Sequence, residues 1–294
     1  MLVLLLIIAC GPDDPKVYTK IVVGADGACA LDERDNVHCW GRFAASAPST
    51  QLDSISLQYL HVCGLLNGIG SCWAYGDDPL VSELTAVPEG EFLDVAAAYD
   101  GTCWLSTSGL ITCYGRDESP DMEIWDGTPV TRITGGEDHY CGLTEGGVLG
   151  CWGGVGQMEA YGLLDAPIPG PFNQVDAGYR ATCVIDTNNK LACWGGPDGE
   201  DNPLPNWTPE GHFQSVSTGD IFCALDAEGV ALCRFPFACS KFLYKYTSIS
   251  VGWWKQICAT RETGGIDCWE LQGEYGEEAD CIAGEPAEIF SEEE

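Results

Sequence analysis

The sequence predicts an all-β protein, a seven-bladed β-propeller, and three observations carry the prediction. Cysteines recur in seven pairs with eight or nine residues between partners, and the first cysteines of successive pairs are 34 to 42 residues apart. The residues midway between the two cysteines of each pair are of the types that favour turns, as in "DTNN" and "TEGG". The flanking segments are short and β-branched, and no helical period is sustained. Seven such units favour a closed ring of small sheets over an open β-solenoid, whose repeats are usually shorter.

Each cysteine pair predicts a β-hairpin with a disulfide joining its two strands near the open end. Directly opposed residues of antiparallel strands have the Cα separation that a disulfide needs, roughly 4.4 to 6.8 Å. The residue after the second cysteine is Trp in five units and Tyr in the third. It points to the opposite face from its cysteine and is expected to fill the space between neighbouring sheets. The predicted bridges are Cys29–Cys39, Cys63–Cys72, Cys103–Cys113, Cys141–Cys151, Cys183–Cys193, Cys223–Cys233 and Cys258–Cys268.

An apolar residue, an aliphatic residue and a glycine recur at three-residue intervals upstream of most pairs. Phe172-Val175-Gly178 is one example; the third unit has Ala98 in the glycine place, and the second unit is the most degenerate. The chain from 17 to 294 is therefore interpreted as one propeller, with residues 272–294 as a tail expected to supply the strand that closes the ring. The repeat cores are 17–42, 52–76, 91–116, 129–154, 171–196, 212–235 and 246–271.

The composition narrows the classes of partner and compartment. Asp and Glu number 45 against 13 Lys and Arg, a formal net charge of −32, so the surface repels phosphate backbones and a nucleic-acid partner is not expected. Seventeen cysteines without the short ligand spacings of zinc sites indicate an oxidising compartment.

The N-terminus, "MLVLLLIIACGPDD", resembles a bacterial lipoprotein signal. The resemblance implies a signal peptide over 1–9, lipid attachment at Cys10 and a short linker over 10–16, which places the protein in the cell envelope, at the outer membrane or cell surface. No Lys or Arg precedes the apolar run, as signal peptides normally require. The alternative is an ordinary secretory signal with an unrelated cysteine.

Three stretches carry a family resemblance: "GGEDHYCGLTEGGVLGCWGG", "AGYRATCVIDTNNKLACWGG" and "TGDIFCALDAEGVALC". They resemble the regulator of chromosome condensation repeat family in its secreted, cysteine-rich bacterial form, and the likeness runs from about Val17 to Trp269. It implies seven four-stranded blades. The family includes a nuclear nucleotide-exchange factor and secreted inhibitors that bind β-lactamases with one propeller face, so such a face can bind protein. The family's Gly-Gln segment is kept only in "GVGQMEAYG" and lost in most units.

Three cysteines lie outside the seven pairs. If Cys10 is lipidated, Cys239 and Cys281 remain, and both follow hairpins of adjacent units. They are expected to pair with each other; the alternative is two free surface thiols.

Acidic residues concentrate in the segments that follow the second cysteine of a pair. Segments of one type lie on one face of a propeller, so these carboxylates are expected to form a negative rim. Such a rim suits a cationic partner or Ca²⁺, although no metal ligand set is assigned. The alternative is a solvated face that maintains solubility. The residues are Asp77, Asp78, Asp117, Glu118, Asp121, Asp198, Glu200, Asp201, Glu274, Glu277, Glu278 and Asp280.

Aromatic residues between the cysteine pairs form a second candidate surface, since clustered aromatics with a polar rim are typical of binding hot spots. These are Trp125, Tyr161, Trp207 and Phe237; packing between blades is the alternative for each. Trp253 and Trp254 follow a repeat glycine directly, so at least one is expected in the core.

No motif supports catalysis, and no cofactor is expected. The histidines lie in different units without a nucleophile partner, and His139 is expected to be structural. The sequence therefore predicts a monomeric, extracytoplasmic, lipid-anchored binding scaffold that recognises a protein through propeller-face loops. The alternative is a calcium-binding or structural surface lipoprotein.

Overall fold

The computed structural model describes residues 16–76, 80–115, 119–120, 122–137, 139–153, 166–195, 206–234, 244–253, 256–272, 280–284 and 286–289. Within these residues the chain forms seven antiparallel sheets, each built from consecutive strands. The strands are β1–β3 in blade 1 (Tyr18–Val23, Gly27–Asp32, Val37–Gly41), β4–β6 in blade 2 (Ser54–Leu57, His61–Leu66, Ile69–Ala74), β7–β9 in blade 3 (Phe92–Ala97, Gly101–Ser106, Ile111–Gly115), β10–β12 in blade 4 (Val130–Gly135, His139–Thr144, Leu149–Gly153), β13–β15 in blade 5 (Phe172–Ala177, Ala181–Asp186, Leu191–Gly195), β16–β18 in blade 6 (Phe213–Thr218, Phe222–Asp226, Ala231–Arg234) and β19–β22 in blade 7 (Tyr246–Val251, Gln256–Arg261, Ile266–Gln272, Asp280–Gly284). Short helical segments are α1 (Val81–Leu84), a 3-10 turn (Met122–Trp125) and α2 (Pro286–Ile289).

The seven sheets close into a ring. In each blade the first strand is the inner one, and inner strands of successive blades pack side by side, with β1 of blade 1 against β19 of blade 7. The predicted seven-bladed β-propeller is confirmed. The ring has two faces. The loop face carries the loops between inner and middle strands and the start of each segment after the outer strand; the hairpin face carries the turns between middle and outer strands.

All seven predicted hairpin disulfides are present. Each joins directly opposed residues of the middle and outer strands, with Cα atoms 4.0 to 4.1 Å apart. The disulfide of one blade packs against the aromatic residue of the next: Cys141 lies in one cluster with Trp194. Cys258 of blade 7 packs in the same way with Trp40 of blade 1. The aromatic residue after the second cysteine therefore fills the seam between blades, as its alternation along the strand predicts.

The repeat glycines mark the closest approach of neighbouring blades. A Cβ placed on Gly178 would overlap the backbone of Thr218, and one on Gly219 would overlap the carbonyl oxygen of Gly252. A Cβ on Gly252 would overlap the carbonyl oxygen of Gly24, across the closing seam. The glycine is therefore required by contact with the next blade.

A ring of hydrogen bonds also joins the inner strands. The side chain two residues before the repeat-glycine place accepts a hydrogen bond from a backbone N–H of the next blade, as in Val251 N to Ser217 Oγ at 3.0 Å. Val23 N donates to Ser250 Oγ at 3.0 Å and closes the ring. The same position makes this bond in three further seams: Ser56 with Ala97, Thr134 with Ala177, and Asp176 with Thr218. These contacts fix the inner strands and the loops that follow them.

Two expectations are corrected. The resemblance implied four-stranded blades, yet among the described residues a fourth strand is formed only in blade 7; in blades 1 and 5 a single bridge stands there, Asn36 to Gln51 and Cys193 to Trp207. The tail was expected to supply the strand that closes the ring. Instead β22 pairs with β21 inside blade 7, and the ring closes by packing of β1 on β19. Ile289 of α2 packs against a cluster that joins blades 1 and 7 and includes Ile21 and Cys258.

Candidate protein-binding face

Four aromatic side chains meet at the centre of the loop face. Tyr59 and Tyr99 have ring centroids 4.7 Å apart, and the Tyr99 ring stacks on that of Trp253 at 5.1 Å with 4° between planes. Tyr59 and Tyr179 each lie 5.6 Å from Trp253. The contacts join blades 2, 3, 5 and 7, and Trp253 touches rings from blades that are not its neighbours. The rings must therefore cross the propeller axis, and we call these four residues the aromatic cluster.

The aromatic cluster combines a rigid centre with accessible edges. Trp253 is 8% exposed, whereas the three tyrosines are partly exposed. The expectation that Trp253 or Trp254 lies in the core agrees with the burial of Trp253; Trp254 lies outside the described residues. Sequence reasoning missed the tyrosines as a group. The available signal was their position, because each directly follows the repeat-glycine place, at Gln58, Ala98 and Gly178.

Charged side chains surround the aromatic cluster. Glu137 and Arg180, from the corresponding loops of blades 4 and 5, form an ion pair with Oε2 and Nε 2.9 Å apart. The guanidinium of Arg180 lies 4.9 Å above the ring of Tyr179, a cation–π arrangement. Asp100 and Asp220 occupy the corresponding loops of blades 3 and 6. The centre of the loop face is thus aromatic with a mainly acidic border.

The predicted acidic rim is not tested by the structure. The segments that carry it start on the loop face, but its residues lie outside the described ones, except that Asp280 belongs to β22, without a described side chain. Within the described part of the chain, no three His, Cys, Asp or Glu side chains group as metal ligands. The calcium interpretation therefore stays a prediction. Cys10 and Cys239 also lie outside the described residues, and Cys281 lies in β22 with its side chain undescribed.

Trp125 is not a surface contact, so its predicted role is wrong. Its side chain is 1% exposed, its Nε1–H donates to the carbonyl oxygen of Gly142 at 3.3 Å, and its ring meets Trp152 at 5.7 Å. The 3-10 turn folds the indole onto the β11–β12 hairpin, where Gly142 and Gly150 leave the space it occupies. The large apolar area of the indole ring makes its burial energetically favourable.

Trp207 replaces a missing seam residue. Blade 6 has Arg234 where other blades have Trp or Tyr after the second cysteine. Trp207, from the connection before blade 6, pairs with Cys193 of blade 5 and stacks on Phe222 with centroids 6.2 Å apart. It is only partly buried, and packing, the alternative interpretation, describes these contacts. Tyr161 and Phe237 lie outside the described residues.

Two histidines are buried at equivalent places in blades 2 and 4. His61 Nε2 lies 2.7 Å from Thr102 Oγ1 of blade 3, and His139 Nε2 lies 2.9 Å from Thr182 Oγ1 of blade 5. Because the Thr102 hydroxyl donates to the carbonyl oxygen of Leu84 at 2.6 Å, it must accept from His61, which fixes the Nε2–H tautomer. Both side chains are fully buried and tie one blade to the next.

We expect these histidines to reduce stability in acid. Burial lowers the pKa of His61 to about 3 and that of His139 to about 4, below the ordinary value near 6.5. Between the lowered pKa and the ordinary pKa, the unfolded chain binds protons at these histidines and the folded chain does not. The free energy of unfolding therefore falls as pH falls, on the order of 1 to 3 kcal/mol per histidine between pH 6.5 and 4.

Urea titrations between pH 6.5 and 4 test this expectation. The free energy of unfolding of His61→Gln/His139→Gln should depend less steeply on pH than that of the wild type. Because Asp176, whose pKa burial raises to about 7, acts in the opposite direction, the comparison must be between variant and wild type. An equal pH dependence of the free energy of unfolding in variant and wild type would contradict the expectation that His61 and His139 reduce stability in acid.

The fold and the site define a seven-bladed β-propeller with an aromatic loop face. In the described part of the chain no helix is long and apolar enough to cross a bilayer. No family model matches the chain.

Solved structures resemble it at low sequence identity. The ectodomain of the receptor kinase CR4 from Physcomitrella patens is 22% identical over 87% of this chain and 74% of that one, with a TM-score of 0.67. The CRINKLY WD40 ectodomain of the Arabidopsis thaliana receptor kinase ACR4 is 18% identical over 86% and 94%, with a TM-score of 0.68. Prp20p from Saccharomyces cerevisiae, the yeast RCC1 protein, is 15% identical over 79% and 80%, with a TM-score of 0.58. At these identities the similarities show the fold alone, a β-propeller.

Proposed function

We propose that the chain is an extracytoplasmic, lipid-anchored, monomeric and non-enzymatic binding scaffold that recognises a protein partner with its loop face. The observation that carries the proposal is the aromatic cluster at the centre of that face. Partly exposed Tyr rings around a buried Trp, bordered by charged groups, are the composition of interface hot spots. Seven disulfides support an oxidising compartment. The structure of Prp20p was reported with its binding to Gsp1p and histones, which supports protein binding as a use of this fold.

Affinity capture tests the proposal. The oxidised protein is immobilised and exposed to native envelope extract and culture fluid, with and without calcium, and retained proteins are identified by mass spectrometry. We expect one protein to be retained specifically by the oxidised form. Retention that depends on calcium would favour the cation-binding alternative. No retained protein, with the propeller folded, would contradict the proposal.

Substitutions in the aromatic cluster locate the binding face. Tyr99→Ala/Tyr179→Ala is expected to weaken capture by roughly 30-fold or more, because two hot-spot aromatics together typically contribute at least 2 kcal/mol. The matched control is Tyr244→Ala, since Tyr244 is 52% exposed and precedes β19 on the hairpin face. Both affinities are measured by surface plasmon resonance, with circular dichroism to verify folding. Undiminished binding by the double variant would assign recognition to another surface.

A further inference from the structure

We propose that the hairpin face lies against the surface of a zwitterionic phospholipid bilayer, where aliphatic side chains contact lipid and leave the loop face directed away from the membrane. This proposal rests on the lipid anchor of the proposed function. It adds a second contact surface, on the opposite side of the disc from the aromatic cluster.

Exposed aliphatic side chains occur at one repeated position on the hairpin face. Ile69, Leu110, Val148 and Val230 are 58%, 57%, 51% and 47% exposed, and each stands three residues before the second cysteine of its pair. The position lies at the end of the turn between middle and outer strands. Blades 1, 5 and 7 have Asn, Lys and Gly there, so the hairpin itself does not require an aliphatic residue. Because these four side chains come from four blades and lie on one face of the disc, a flat apolar surface can contact all of them at once.

The chain also enters the propeller at this face. Val17 is held between two hairpin turns: its carbonyl oxygen accepts from Glu33 N of blade 1 at 2.9 Å, and the next residue, Tyr18, donates its N–H to Gly264 O of blade 7 at 2.9 Å. Val17 is itself 37% exposed. Residues 11–16 separate it from Cys10, and six residues span at most about 20 Å. A lipid on Cys10 therefore holds the hairpin face, not the loop face, within reach of the bilayer.

The charge of the hairpin turns determines which kind of bilayer fits. These turns carry more acidic than basic side chains, with Glu33, Glu145 and Glu228 among the acids and Arg34 and Lys190 among the bases. A bilayer of anionic lipids would repel them, whereas a zwitterionic bilayer has no net charge and does not. Each aliphatic contact is small, and together with a lipid chain they provide the second signal that stable membrane association needs.

Hydrogen exchange on tethered protein tests the orientation without depending on lipidation. The chain from residue 10 with Cys10→Ser and an N-terminal histidine tag is bound to phosphatidylcholine vesicles that contain a nickel-chelating lipid. Compared with the protein in solution, peptides covering 107–110 and 145–148 are expected to exchange roughly threefold more slowly, whereas those covering 98–101 and 178–181 keep their rates. Unchanged hairpin turns, or protection of the loop face, would overturn the orientation.

A matched pair of variants tests the side chains. Leu110→Glu/Val148→Glu should abolish the protection of the hairpin turns, and the control Tyr75→Glu, 41% exposed at the end of blade 2 on the loop face, should leave it intact. Protection that survives Leu110→Glu/Val148→Glu would overturn the lipid contact. The intact mass of the membrane-extracted protein separates the two proposals. An unmodified Cys10 would refute the anchor and with it the native orientation, whereas a lipidated protein with unprotected hairpin turns would refute the orientation alone.

Discussion

Reduction of the seven hairpin disulfides is expected to unfold the propeller at room temperature. Each bridge closes a loop of about ten residues, which by the loop-entropy model contributes somewhat under 3 kcal/mol. Seven such contributions together exceed the roughly 5 to 15 kcal/mol that separates a typical native protein from its unfolded chain. An isolated two-stranded hairpin is marginal in water, so a hairpin without its disulfide depends on the third strand and on packing against the neighbouring blades.

Urea titrations followed by tryptophan fluorescence, with and without dithiothreitol, measure the effect. The first cysteine of each pair is 0 to 1% exposed, so the reductant must be added in urea and the protein then diluted to refolding conditions. The variant Cys103→Ala/Cys113→Ala lacks one of the seven disulfides. Its free energy of unfolding should fall by about 2 to 3 kcal/mol and it should still fold, which distinguishes the loss of one disulfide from the loss of all seven. A reduced protein with a cooperative transition near the oxidised midpoint would show that packing between blades suffices.

Alanine in place of a repeat glycine is expected to destabilise the ring strongly. At Gly178 and Gly252 the added Cβ meets backbone atoms of the next blade, which cannot rotate away as a side chain can. Overpacking of this kind costs about 1 to 3 kcal/mol or more, and Gly252→Ala acts on the seam that closes the ring. Gly146→Ala is the matched control, because the nearest atom to its added Cβ is Thr144 Oγ1 at 3.9 Å. Differential scanning calorimetry compares the melting temperatures of the wild type, Gly252→Ala and Gly146→Ala. A melting temperature of Gly252→Ala equal to that of Gly146→Ala would refute the close-approach account.

The sequence alone determined the repeat, the hairpins and their disulfides. These are local features: turn residues and opposed cysteines lie within about ten residues of one another, and strand alternation puts Cys and Trp on opposite faces. The number of units then fixed the number of blades. His139, two residues before Cys141, was expected to be structural because the resembled family often has His at this place, and its burial in β11 agrees with that expectation.

Only the tertiary structure decided which aromatics pack and which form a surface. Trp125 and Trp207 lie in irregular segments without a period. Trp125 is buried because Gly142 and Gly150 leave space for its ring, and Trp207 packs on Phe222 because blade 6 has Arg234 where other blades have Trp or Tyr. Tyr99 and Trp253 are far apart in the chain and in non-adjacent blades. They meet because ring closure brings every inner loop to one axis, and no local pattern carries that information.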